Sequence, residues 1–145
     1  MTNNPVFVAY VLTTAVLGLN LIVLANASAA TRAKAGEVIN PEDKRLSQAA
    51  TVVFEGGNDT TARWRRAHRN ALENIPLFLV TGFLLTLTGT STTTAYALYG
   101  VFVAARIFHS VAYVEQLQPW RTASFAVGAL AQTVLLGVLV VQVLA

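Results

Sequence analysis

Two sets of ionisable residues stand at helical spacing inside long apolar stretches of this chain. Arg66, Arg69, Asn70 and Glu73 fall at i, i+3, i+4 and i+7, one face of a helix, and Arg106, His109, Ser110 and Tyr113 repeat that spacing further on. Arg121, Thr122 and Ser124 open another apolar run at the same membrane end. Guanidinium forks grip carboxylates or phosphates, and a single carboxylate grips an ammonium. Within a bilayer each such group costs about 2.5–3.5 kcal/mol, even on the gentler insertion scales, so it faces a polar cavity or a partner. Three helices are thus expected to aim polar groups into one half of a bundle. Internal pairing does not balance them. Glu73 alone cannot neutralise Arg66, Arg69, Arg106 and Arg121, and Glu115 lies off the stripe. An anionic ligand with several charges supplies the difference.

Other polar residues have simpler readings. Arg63, Arg65 and Arg66 suit anchoring to lipid phosphates. His68 stands off the face and reads as structural or interfacial, whereas for His109 ligand contact and internal hydrogen bonding stand equal. A bis-histidine haem site has no spacing signature here. Asn20 reads as a hydrogen bond between helices, and Tyr10, Tyr96, Tyr99, Trp64 and Trp120 as an interfacial aromatic belt. With no cysteine there is no disulfide, no thiolate metal site and no protein thiol nucleophile. Sulfur chemistry would need a ligand's sulfur.

The elements that must position these residues follow from composition. Of 145 residues, 54% are hydrophobic and 12% charged, about half the charge of a soluble domain. The fold class is all-α: an integral membrane four-helix bundle in one domain over residues 1–145, with helices near 5–30, 61–88, 95–117 and 119–144. Ala25 to Ala30 has the small residues of a signal-peptidase site, but Thr2-Asn3-Asn4 carries no basic residue, so the first helix is expected to be retained. Eight of the ten Lys and Arg lie between Arg32 and Arg69. That clustering argues against a nucleic-acid groove and puts the basic first loop on the cytoplasmic side, with both termini opposite. Asn40-Pro41-Glu42-Asp43 and Gly56-Gly57-Asn58-Asp59 read as turns in that loop, and Pro119 suits the first turn of the fourth helix. A channel is disfavoured, because Leu77–Leu87 and Ala95–Ala105 are nearly all apolar.

Several of these segments carry a family resemblance. Arg65-Arg66-Ala67-His68-Arg69-Asn70-Ala71-Leu72-Glu73-Asn74-Ile75 resembles the second-helix signature of the MAPEG family, membrane-associated proteins in eicosanoid and glutathione metabolism. Asn40 to Asp43 is similar to its first-loop motif, Arg106 to Tyr113 to its third-helix motif, and Gln118 to Phe125 to the start of its fourth helix. The resemblance implies a homotrimer that binds glutathione between subunits and takes a lipophilic electrophile or lipid hydroperoxide from the membrane lipid. By position it implies glutathione contacts at Arg32, Arg69, Asn70, Glu73, His109, Tyr113, Arg121 and Thr122, with Arg106 stabilising the thiolate and Arg121 beside it in catalysis.

The ligand suits the charges. Glutathione has two carboxylates for guanidinium forks and an ammonium for Glu73. A thiol of pKa ~8.5 is only ~3% ionised at pH 7; at pKa ~6.5 it is roughly 75% ionised, a difference of about 2.7 kcal/mol. One partly desolvated arginine supplies that much. The chain has Phe125 where the prostaglandin-synthase branch has tyrosine, and Ala126 where a hydroxyl residue would follow. Conjugation or glutathione-dependent peroxide reduction is therefore expected ahead of prostaglandin isomerisation. The family also contains a non-catalytic lipid-presenting scaffold, which has no need for this charge pattern.

Overall fold

A computed structural model describes residues 4–45, 47–54 and 57–144; Thr2, Asn3 and Gly56 of the segments above lie outside the described residues. Four long helices make up the protein: α1 (Pro5–Lys34), α2 (Asp59–Thr86), α3 (Thr92–Val114) and α4 (Trp120–Leu144). The starts of α1, α2 and α3 are set by capping side chains. Asn4 accepts from the amides of Val6 and Phe7, Asn58 from Thr61 and Ser91 from Thr94. Each such cap contributes about 1 kcal/mol. Pro119 lies just before α4 rather than in its first turn, and its carbonyl accepts from the amide of Ala123.

Three boundaries differ from expectation by more than two residues, for local reasons. The first helix continues past residue 30 to Lys34, because Thr31 and Arg32 remain good helix positions until Gly36 adopts a positive φ of 65°. The third helix begins at Thr92 rather than 95, since Ser91 is the cap in a run of candidate caps. It ends at Val114, where Gln116 turns the chain at φ 62°. The first loop is more ordered than a polar linker. Two short strands, β1 (Glu37–Val38) and β2 (Thr51–Val52), pair in parallel around a 3-10 turn over Pro41–Arg45.

Helices α1, α3 and α4 are each long and apolar enough to cross a membrane. Helix α2 does not qualify on composition, because its first half carries Arg63, Arg65, Arg66, Arg69 and Glu73. It is a bundle member all the same. Packing runs α1 on α2 and α3, and α4 on α3 and α2, while α1 and α4 do not touch among the described residues. So α2 and α3 form the inner diagonal of an integral membrane bundle.

The end of the bundle away from the basic loop holds the aromatic core. Phe78 of α2 stacks on Phe102 of α3 at 4.1 Å and meets Tyr99 edge-on at 5.5 Å. The hydroxyl of Tyr99 donates to the carbonyl of Gly82 at 2.7 Å, and that of Tyr10 to Leu79 at 3.0 Å. Tyr99 is therefore a core tyrosine and Tyr10 a half-buried one packed against that core, both satisfied by carbonyls of α2 where an interfacial belt was expected. Asn20 donates to Ser110 across α1 and α3, as its position implied.

Candidate functional site

On α3, Arg106 is held in a slot between α3 and α4. It is 2% exposed. Its guanidinium packs against the rings of Phe102 and Phe125, each 5.3 Å away, and against the backbone of Gly128. Nε and Nη1 are buried without a hydrogen-bond partner, and no ion pair reaches Arg106 among the described residues. Two cation–π contacts contribute about 1–4 kcal/mol together, against several kcal/mol to bury a charge. The rings do not offset that cost.

One turn towards the basic end, His109 is 5% exposed. Its Nδ1 lies 2.9 Å from the carbonyl of Arg121 and 3.3 Å from Ser124 Oγ. A carbonyl only accepts, so Nδ1 carries the hydrogen, and Nε2 is left buried. The internal hydrogen bond expected of His109 is therefore present at one nitrogen, while the other has no partner among the described residues. Arg121 lies over the ring of Tyr113 at 4.8 Å, and Tyr113 meets His109 edge-on at 5.7 Å. Thr122 is exposed and donates to Gln118 at 3.2 Å.

A second set lies between α1 and α2. A cleft of about 670 Å³ is lined by Arg32, Arg65, Arg66, His68 and Arg69 together with small residues of α1. His68, off the charged face of α2, is also on this wall. Arg69 Nε lies 3.5 Å from Glu73, with their side chains 83% and 61% exposed. Such a pair contributes a few tenths of a kcal/mol at most, so both groups are available to a ligand at little cost. Asn70 is half-buried, with its Oδ1 lacking a partner.

The expectation that all three polar stripes converge inside one chain needs correction. The stripes of α3 and the start of α4 do converge, but Arg66, Arg69 and Glu73 of α2 are exposed. No hydrogen bond, ion pair or aromatic contact among the described residues joins them to Arg106, His109, Tyr113 or Arg121. The physical reason is that the buried face of α2 is taken by Ala67, Ala71, Ile75 and Phe78, three positions or four apart, which leaves the charged stripe outside. Sequence reasoning missed Ser124 as the partner of His109 and Gly128 as the floor beneath Arg106. Their i, i+4 spacing of small residues on α4 is the signal that marks a close helix approach.

The MAPEG family profile matches residues 9–141 of the chain. The chain belongs to the MAPEG family. Human microsomal glutathione S-transferase 1 is 35% identical over 136 residues, which cover 87% of this chain and 83% of the relative. The protein of that name from Rattus norvegicus is 34% identical over 131 residues, covering 88% and 84%. Human prostaglandin E synthase is 30% identical over 129 residues, covering 88% and 84%. In this MAPEG chain, the four segments expected to carry the family motifs all fall within the matched range.

Proposed function

We propose that this protein is a membrane-bound glutathione transferase acting as a homotrimer, with its single domain spanning residues 1–145 and its basic loop on the cytoplasmic side. The observation that carries the reading is Arg106, a buried guanidinium whose Nε and Nη1 lack any partner. The relatives' names supply the thiol that fits it. Arg32, Arg69, Asn70 and Glu73 of one subunit bind the carboxylates and ammonium of glutathione. A neighbouring subunit contributes Arg121 and Thr122, and His109 and Tyr113 close the site.

In the mechanism, the thiol proton leaves to water and the sulfur is held as thiolate by Arg106, with Arg121 adding positive potential. The sulfur then bonds to an electrophilic carbon while the leaving group departs with its electron pair. With a lipid hydroperoxide, a thiolate attacks the terminal oxygen and releases the alcohol. A second glutathione then reduces the sulfenic product to disulfide and water. Phe125 brings no hydroxyl to the guanidinium it flanks, which favours these reactions over isomerisation.

The test is conjugation of glutathione to chlorodinitrobenzene by the detergent-purified protein, alongside glutathione binding. Turnover that Glu73→Ala and Arg106→Ala both reduce supports the reading. No binding of glutathione overturns it.

A further inference from the structure

The Arg106 slot has a floor with no room for a side chain unless the guanidinium shifts. A Cβ built at Gly128 would lie 2.8 Å from Nη2, 2.9 Å from Nε and 3.0 Å from Cζ of Arg106. These three nearest atoms all belong to the guanidinium, so the group lies flat against the bare Cα of α4. At Gly18, Gly100 and Gly137, also within helices, nothing lies within 4 Å of such a Cβ. Gly82 meets only ordinary contacts with Tyr10 and Phe78. Gly128 thus differs from the other helical glycines in what it accommodates.

Resting on the assignment of Arg106 to the thiolate, we infer that Gly128 is a positioning residue for the reaction. Its missing side chain sets where the guanidinium sits and keeps its charge close to the sulfur rather than displaced from it. An added methyl needs the guanidinium to move on the order of 0.5–1 Å to regain van der Waals distance. Phe102 and Phe125 already pack against it, so withdrawal from α4 is the remaining route. The yielding atoms end a flexible side chain, so the helices stay where they are and the charge moves. Coulomb attraction at these separations loses enough over that distance to raise the thiol pKa by about 0.5–1 unit.

The experiment titrates the ultraviolet absorbance of the bound glutathione thiolate against pH, with glutathione affinity and kcat measured on the same samples. The variants are Gly128→Ala, Gly137→Ala and Arg106→Ala. Gly128→Ala is expected to bind glutathione within about twofold of the wild type and to titrate about 0.5–1 unit higher. Its kcat falls about three- to tenfold below the wild-type thiol pKa, and the two profiles converge at high pH, where both thiols are ionised. Gly137→Ala matches the wild type. A wild-type titration for Gly128→Ala overturns the inference. A wild-type titration for Arg106→Ala overturns the assignment beneath it, which keeps the two failures distinct. The double variant Arg106→Lys/Gly128→Ala separates positioning from packing, because a lysine head presents no flat guanidinium to the methyl. Gly128→Ala has no further effect in the Arg106→Lys background if it acts through the guanidinium. Should Gly128→Ala alone fail to fold, recovery of folding in the double variant supports the same conclusion, and continued failure overturns it.

Discussion

The two ends of this bundle solve the problem of polar groups in a membrane in opposite ways. At the far end, the hydroxyls of Tyr10 and Tyr99 donate to carbonyls of α2, aromatic rings stack between α2 and α3, and Gln132 donates to Thr81, leaving only its neutral Oε1 without a partner. At the basic end, Arg106 and His109 are as deeply buried, yet present nitrogens with no partner. The far end is built for cohesion. The basic end holds the unmet charge, at Arg106.

The division predicts that stability and activity can be damaged separately. The largest effect is expected from Phe78→Ala, which removes the ring stacked on Phe102 and costs about 3–5 kcal/mol of stability. Thermal unfolding in detergent reads it, and glutathione affinity of the folded fraction should hold. Arg106→Leu is its mirror image. It should lower turnover tenfold or more, about 1.4 kcal/mol or above, while the unfolding midpoint stays level or rises because an unpaired buried charge is gone. A large loss of stability in Arg106→Leu would erase the contrast between the ends.

Smaller effects sharpen it. Glu73→Ala removes an exposed carboxylate assigned to the ligand's ammonium, so KM for glutathione should rise about tenfold with little change in stability. Asn58→Ala reaches neither end's core. It removes a cap at the start of α2 and a contact with Glu37, and should cost about 1 kcal/mol in thermal unfolding.

Helices α1, α3 and α4 were legible because apolar stretches long enough to span a bilayer admit few alternatives. The polar positions were legible for the same reason: Arg106 in an apolar helix demands a partner wherever the helices go. What could not be read was which face of α2 turned inward. Ala67, Ala71 and Ile75 offer an inward stripe as good as the charged one, and small residues gain that face only once α1 and α3 pack against it. The paired strands of the first loop escaped notice because two residues each carry no periodic signal. Gly128 needed the Arg106 side chain in place before its lack of a Cβ had a meaning.

That exposed stripe leads to the central claim, which is that Glu73 and Arg121 serve one glutathione site from different chains. Co-expressing Glu73→Ala and Arg121→Ala under two tags, and purifying assemblies that carry both, tests it directly. In a cyclic trimer each mixed assembly has one interface with both residues intact, so turnover should return to about a third of the wild type, well above either variant alone. Mixed assemblies no more active than their parents would contradict a site shared between subunits.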